Sequence, residues 1–301
     1  MKNQYYLKLI LFVTIALPAI GQCQTKNSGR GNPVTLMNTE LKVLHSTKNG
    51  ENYNIYVWLP DSYYTTDSSY SVLYLTDANQ YFGMFTDIAH GLQWGDEMPE
   101  SVIVGIAYSL DSERTTDDKW SKWLALRMRD FTPSNNIQMD KNMGTNNIKS
   151  GGASNFLEFI EQELFTFIEK NYRVKSNQGT YIGFSLGGLF GLYTMLEKPQ
   201  LFQRFIIGSP SIWVENKSLL SLENKYTQNH SDLPVKLYVS TGSLEEEVNA
   251  GMVRNMLEFT SKLKSRKYKN LVLRTDIVEN ETHLSSPAIC FLHGLAFLFR
   301  R

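Results

Sequence analysis

The sequence predicts an α/β fold in which helices flank a mostly parallel central sheet. Short apolar runs recur along the chain, and most are continuous, as in strands buried on both faces of a parallel sheet. Helical patterns separate these runs through the C-terminal half, which favours strand–helix alternation. The early runs are joined by shorter polar links, which indicates an antiparallel start. The expected strands are Tyr53–Leu59, Ser71–Leu75, Ser101–Ala107, Thr180–Phe184, Arg204–Ile207, Val235–Ser240 and Leu271–Ile277.

Two stretches have the apolar spacing of amphipathic helices, Asn155–Tyr172 and Asn249–Arg266. Residues 133–153, in contrast, lack periodicity and are rich in Asn, Ser, Gly and Lys. A loop of this length inside a compact domain is either a mobile flap over a site or an inert surface insertion, and both interpretations stay open.

Composition excludes several classes of protein. The 301 residues include 30 basic and 30 acidic side chains, so no basic field exists to hold nucleic acid. The 42% hydrophobic content suffices for a sizeable core. Two cysteines cannot build a disulfide scaffold, and Cys290, in an apolar segment, is expected to pack as a small hydrophobe. Without a CxxC pair or an HExxH helix, we expect no metal site.

The N-terminus has the three-part pattern of a secretory signal peptide. Two lysines precede an apolar run over 9–20, and the small residues Ala19 and Gly21 suit a cut before Gln22. The run is short for a membrane-spanning helix. An uncleaved anchor and a lipid-modified Cys23 are the alternatives.

The expected organisation is therefore a signal peptide over 1–21, a flexible segment over 22–40 and one domain over 41–301. No Pro- or Gly-rich linker divides that domain. The mature chain would be periplasmic or secreted, with no stable membrane span.

Residues 183–187, Gly-Phe-Ser-Leu-Gly, have the GxSxG pattern between a predicted strand and a predicted helix. In this context the glycines permit a sharp turn that exposes the Ser185 hydroxyl at the strand end, and the helix N-terminus stabilises negative charge. The strand–turn–helix context predicts a nucleophile elbow; a Gly-rich turn without chemistry is the alternative.

A serine hydroxyl needs a base, and five histidines are candidates. In the α/β-hydrolase order the acid and histidine follow the serine, which disfavours His45 and His90. His230 lies in a polar linker and is expected to be solvated, while His293 lies in an apolar helix and is expected to be a core residue. His283 remains, in the loop after the last predicted strand.

The acid should follow the strand Val235–Ser240, where residues 245–247 are all glutamates. Glu245 lies three residues past Gly242, the usual place in this architecture, whereas Glu246 and Glu247 also suit the positive end of the following helix. The oxyanion needs two backbone N–H donors, expected from Leu186 and from Asn79, with Ala78 as the alternative to Asn79.

The chain resembles the Putative esterase family of the α/β hydrolases over about residues 41–300. The motifs that carry this resemblance are NIYVWLPDSY, SVLYLTDANQYF, VIVGIAY, RMRDFTP, GGASNFLEFIEQEL, YIGFSLGGLFGLY, IIGSPSIW and ETH. The family includes esterase D-like enzymes, feruloyl and acetylxylan esterases, mycolyltransferases and enterochelin-type siderophore esterases. RMRDFTP, the GGASNFLEFIEQEL segment and SPSIW are most similar to the siderophore-esterase group.

The resemblance implies an α/β-hydrolase fold with Ser185 as nucleophile and His283 as base. It implies either Glu245 as the acid or no acid, because some siderophore esterases use a Ser–His pair alone. The position of Asn79 donates its N–H in relatives, and Ala78 stands where the family usually has glycine. The implied activity is hydrolysis of a small-molecule or glycan ester without a cofactor.

Three residues are candidates for substrate specificity, Arg127, Arg129 and Trp213. Arg127 and Arg129 precede the flap segment and either clamp an anionic or catecholate substrate or form ordinary salt links, for instance to Asp130. Trp213 either stacks on an aromatic acyl group or packs beneath the site. The sequence leaves three alternatives to a siderophore esterase: a carbohydrate esterase acting on feruloyl or acetyl groups, an acyltransferase, and a non-enzymatic binding protein.

Overall fold

A computed structural model describes residues 34–300 apart from 143, 145–147 and 249–250. The signal-peptide prediction and Cys23 lie outside the described residues. The compact unit of the fold begins at Leu36. Its first strand begins at Thr39, inside the segment expected to be flexible.

One eight-stranded mixed sheet runs through this unit in the order β1-β2-β4-β3-β5-β6-β7-β8. Strands β1, β2 and β4 pair antiparallel, and the remaining neighbours pair parallel, as the sequence predicted. The strands are β1 (Thr39–His45), β2 (Asn52–Trp58), β3 (Tyr70–Leu75), β4 (Ser101–Tyr108), β5 (Val174–Phe184), β6 (Arg204–Gly208), β7 (Lys236–Gly242) and β8 (Val272–Val278).

All seven expected strands form, and β1 is the strand that the sequence analysis missed. It is an edge strand whose Leu41 and Val43 are largely exposed, so it lacks the continuous apolar run that marks the inner strands. Strand β5 begins six residues before the apolar run that predicted it. The prediction missed this first half because most of its side chains are polar.

Helices cover both faces of the sheet. They are α1 (Ala78–Trp94), α2 (Thr116–Phe131), α3 (Ile137–Asn142), α4 (Ala153–Glu158), a π-helical stretch (Phe159–Leu164), α5 (Phe165–Asn171), α6 (Leu186–Glu197), α7 (Ser218–Asn229), α8 (Glu245–Val248), α9 (Met252–Arg266) and α10 (Ser286–Phe299). The helix predicted over 155–172 corresponds to α4, the π-helical stretch and α5 together. The second predicted helix corresponds to α9, which begins at Met252.

Alternate residues of the inner strands enter two cores. In β3, Val72 and Tyr74 pack into the larger core with α2, α6 and α9, while Leu73 and Leu75 pack into the smaller core with α1 and α10. Cys290 is fully buried in the smaller core, which confirms its prediction as a packed hydrophobe. Burial raises the pKa of its thiol to about 12.

The parallel strands set the location of the candidate site. Because β3, β5, β6, β7 and β8 run in the same direction, the loops after them share one edge of the sheet. Within the part of the chain that the structure describes, no helix is long and apolar enough to cross a membrane.

Candidate active site

Ser185 occupies a strained turn between β5 and α6. Its backbone has φ 59° and ψ −118°, a conformation that side-chain-bearing residues rarely adopt. A Cβ at Gly183 would lie 2.4 Å from the carbonyl oxygen of Gly187, and one at Gly187 would lie 2.7 Å from Thr76 Oγ1. Both positions therefore require glycine, for the steric reason that the sequence pattern indicated.

His283 reaches the serine from the loop between β8 and α10. Its Nε2 lies 3.0 Å from Ser185 Oγ, and its Nδ1 lies 2.6 Å from Glu245 Oε2. The tautomer that donates from Nδ1 to Glu245 leaves Nε2 free to accept the serine proton. The structure thus brings together three side chains that the sequence places 38 to 98 residues apart.

The Glu245 carboxylate, at the start of α8, is buried and receives neutral donors besides His283. Its Oε1 accepts hydrogen bonds from Ser209 Oγ at 2.7 Å, from the backbone N–H of Gly242 at 2.8 Å and from Ser286 Oγ at 3.2 Å. Burial raises the pKa of Glu245, but the hydrogen bonds from His283, Ser209 and Gly242 outweigh burial and bring the pKa below its ordinary value. An ionised carboxylate is therefore held beside the imidazole.

Ser209 and Ser286 are site residues that the sequence analysis missed. Ser209 follows β6, the strand beside the nucleophile strand, so its position at the shared edge is the signal that could have found it. Ser211, two residues on, lies with its Oγ 3.4 Å from Ser185 Oγ, and its N–H donates to the Ser185 carbonyl.

The two expected oxyanion donors lie at helix N-termini. Leu186 is the first residue of α6, and Asn79 is the second residue of α1, where N–H groups have no partner within the helix. The Asn79 side chain accepts from the N–H of Tyr108 at 2.7 Å and donates to its carbonyl at 3.0 Å. This pair of bonds ties the start of α1 to the end of β4. Ala78, the alternative donor, is the first residue of α1.

Arg127 is paired inside the protein. Its Nε and Nη2 donate to the two carboxylate oxygens of Asp77 at 2.7 and 2.9 Å, and its guanidinium lies 4.3 Å from the Trp123 ring. Asp77 precedes α1 in the left-handed region, at φ 56°. Its Oδ2 would lie 3.3 Å from a Cβ at Gly187, so the ion pair packs against the elbow. Of the alternatives for Arg127, the observed contacts are those of a salt link.

Arg129 and Trp213 lie in different settings. Arg129 donates to Asp130, as the salt-link interpretation expected, and also to Glu51 and Tyr53. Trp213 is 38% exposed, two residues beyond Ser211, and does not pack as a buried side chain. A substrate contact by either residue stays a prediction.

The other four histidines lie apart from this cluster. His45 of β1 forms a hydrogen bond with Asn52 of β2, His90 pairs with Asp61, and His230 is exposed and stacks on Tyr226. The expectation of a core position for His293 is wrong, because its side chain is 46% exposed on α10. The face of α10 that packs into the smaller core carries Phe291, Leu295 and Leu298 instead.

The flap segment, 133–153, contains the short helix α3, none of whose residues is buried. Ser134 donates its N–H to Glu215, and Ser150 Oγ accepts a hydrogen bond from the N–H of Asn136 at 2.8 Å. The function of this segment as a flap stays a prediction.

No group of three His, Cys, Asp or Glu side chains among the described residues is arranged to hold a metal ion.

The sheet order, the elbow and the serine, histidine and carboxylate at one edge define the α/β-hydrolase class. A family model described as Putative esterase matches residues 46–279. Ferri-bacillibactin esterase BesA of Bacillus subtilis is 30% identical over 281 residues, which cover 90% of this chain and 93% of that protein. The siderophore triacetylfusarinine C esterase of Aspergillus fumigatus is 25% identical over 298 residues, 90% of this chain and 96% of that protein.

Solved structures have the same fold as this chain. The crystal structure of the BES protein from Bacillus cereus superposes with a TM-score of 0.76 at 30% identity, covering 90% of this chain and 99% of that one. An IroE-like serine hydrolase from Shewanella oneidensis gives a TM-score of 0.74 at 25% identity, with 87% and 80% covered. The chain belongs to the Putative esterase family, in its enterochelin-type group, and is a hydrolase that acts on esters.

Proposed function

We propose that this protein is a serine carboxylic-ester hydrolase that works through an acyl-enzyme on Ser185. The observation that carries the proposal is the hydrogen-bonded line from Ser185 through His283 to Glu245 at the carboxyl edge of the sheet. A strained elbow, a base within reach and a buried carboxylate behind it are the parts that activate a serine.

In the first step the Ser185 oxygen bonds to the ester carbonyl carbon, and its proton passes to His283 Nε2. The positive charge that develops on the imidazole faces the ionised Glu245 carboxylate. The negative charge on the carbonyl oxygen is stabilised by the N–H groups of Leu186 and Asn79. His283 then gives its proton to the leaving alcohol oxygen, and the carbonyl carbon–alcohol oxygen bond breaks.

Hydrolysis of the acyl-enzyme repeats these steps with water as the nucleophile. His283 takes a proton from the water, whose oxygen bonds to the acyl carbon, and the proton returns to Ser185 as the carboxylic acid leaves. The chain thus ends in its starting protonation state, and the reaction needs no cofactor.

The proposed substrate class is a siderophore ester. Its support is that two relatives whose alignments cover 90% of this chain, from Bacillus subtilis and Aspergillus fumigatus, are siderophore esterases. We further propose that residues 1–21 are a signal peptide that directs export and is then removed, on the charge, apolar run and small residues of that segment. N-terminal sequencing of protein recovered outside the cytoplasm tests this export, and an intact Met1 would contradict it.

The central experiment compares the chain lacking residues 1–21 with its Ser185→Ala variant on p-nitrophenyl acetate, butyrate and octanoate. We expect turnover to fall by several orders of magnitude in the variant, with an unchanged circular-dichroism spectrum. A fluorophosphonate should label the wild-type chain and fail to label Ser185→Ala. The exposed Ser112→Ala is the matched control and should behave as wild type. Equal hydrolysis by Ser185→Ala would overturn the mechanism.

A further inference from the structure

An apolar pocket of about 260 Å³ lies beside the proposed oxyanion donor Asn79. Its walls include Leu110, which follows β4, and Trp120 and Trp123 of α2. The proposed mechanism assigns it no part, yet the pocket and the oxyanion site share Asn79.

The two tryptophans of the pocket differ in how they are held. Their rings lie 4.8 Å apart, inclined by 36°. Trp123 is 6% exposed and has the Arg127 guanidinium 4.3 Å from its ring. Trp123 is therefore packed against the Arg127–Asp77 ion pair. Trp120 is 58% exposed and presents an indole surface that is open to a ligand.

The sheet order indicates which part of an ester would enter. Strand β5, which carries Ser185, lies between β3 and β6. His283 follows β8, on the β6 side, whereas Asn79 follows β3 and Leu110 follows β4 on the other side. The leaving oxygen must face His283 to receive its proton. The carbonyl oxygen faces the N–H groups of Leu186 and Asn79. The acyl group is the remaining substituent of the carbonyl carbon, and it extends on the side away from His283, where the pocket lies.

We infer that this pocket is the acyl subsite and that it takes an aromatic acyl group, which stacks on Trp120. The inference rests on the proposed serine-esterase function. A volume of about 260 Å³ is slightly below the range of about 300–1,000 Å³ that accommodates drug-sized ligands, so it suits a single ring. Two indoles favour a flat aromatic partner over a flexible chain, because ring pairs gain more than the area they bury.

The test is the discrimination between two ethyl esters that share one alcohol, ethyl benzoate and ethyl hexanoate, followed by acid release at constant pH. The ratio of their kcat/KM values cancels the intrinsic reactivity when variants are compared. We expect Trp120→Ala to lower the benzoate-to-hexanoate ratio about three- to tenfold, the scale of a lost aromatic pair. Because the Trp120 side chain is exposed, we expect its removal to leave the fold intact, and thermal unfolding checks this.

Trp94→Ala is the matched control. Trp94 is 85% exposed at the far end of α1, the helix that begins beside the site. Fifteen residues of helix separate it from Asn79 by roughly 22 Å. Its variant should keep the wild-type ratio.

A binding measurement separates failure of this inference from failure of the proposed function. Ligand-observed NMR of ethyl benzoate with Ser185→Ala requires no turnover. Binding that Trp120→Ala weakens in that background, with Trp94→Ala unaffected, supports the subsite even if wild-type protein hydrolyses neither ester. An unchanged ratio in Trp120→Ala, or equal affinity in the two double variants, overturns the inference.

Discussion

Two fully buried carboxylates flank the nucleophile elbow, and they are held in opposite ways. Glu245, on the β6 side, accepts from two serine hydroxyls, one backbone N–H and His283. Asp77, on the β3 side, is held by the two charged donors of Arg127. Both carboxylate side chains are 0% exposed.

The two carboxylates therefore differ in whether their charge is available to the reaction. Arg127 is permanently charged, so its positive charge balances the Asp77 carboxylate before any substrate arrives. Burial nevertheless raises the pKa of Asp77. Glu245 faces neutral donors and a histidine that gains charge only when it takes a proton. We therefore expect Glu245 to act in catalysis and Asp77 with Arg127 to act in stability.

The largest expected effect is at the group that links Glu245 to the serine. His283→Ala should reduce kcat about 10⁴- to 10⁶-fold, because the serine loses its base. Steady-state kinetics on p-nitrophenyl butyrate measures this, and the exposed His230→Ala is the control. If His283→Ala kept more than a hundredth of the wild-type activity, His283 would not be the base, and Glu245 would have no catalytic role through it.

Glu245→Gln tests the carboxylate beside His283 and keeps the volume of the side chain nearly constant. We expect kcat to fall about 10³- to 10⁴-fold with little change in KM, because the amide neither balances the imidazolium nor enforces its tautomer. Glu246→Gln, one residue along α8 and partly exposed, should stay within twofold of wild type. A similar loss in both variants would indicate disruption of α8 instead.

Arg127→Met tests the buried ion pair between Arg127 and Asp77. Removing one partner leaves Asp77 buried and uncompensated, so the free energy of unfolding should fall by about 3–5 kcal/mol. Urea unfolding measures this against Lys217→Met, whose partner Glu258 lies in an exposed pair and which should change stability little. A variant as stable as wild type would show that the Asp77–Arg127 pair does not stabilise the fold.

The smallest expected effect is at one neutral donor to Glu245. Ser209→Ala should lower the free energy of unfolding at pH 7 by about 1.5–3 kcal/mol, since the hydroxyl donates to a charged oxygen. Because the folded pKa of Glu245 lies below its ordinary value of 4.5, its contribution is present above that value and is lost as the pH falls through the folded pKa.

The difference between wild type and Ser209→Ala should accordingly shrink in acid. Urea unfolding between pH 7 and pH 3 follows it, with Ser112→Ala as the control for an exposed hydroxyl. A difference that is constant across this range would mean that the hydroxyl contributes by packing alone.

Much of the fold could be predicted because its signals are local. The inner strands carry continuous apolar runs, and the elbow carries its glycines beside the serine. Edge strand β1 was missed because Leu41 and Val43 face solvent. His293 was misplaced because ten apolar neighbours in sequence do not tell which face of a helix a single residue occupies.

The order of elements, and with it the candidates Ser185, His283 and Glu245, could be predicted from the amino-acid sequence, because chain order and strand-end glycines are local features. The donation by Ser209 and Ser286 to Glu245, and the pairing of Arg127 with Asp77 instead of Asp130, emerge from the folded structure. Such partners lie 36 to 50 residues apart in these pairs. Their meeting depends on sheet order and strand register, which arise from packing of the whole core and leave no local pattern.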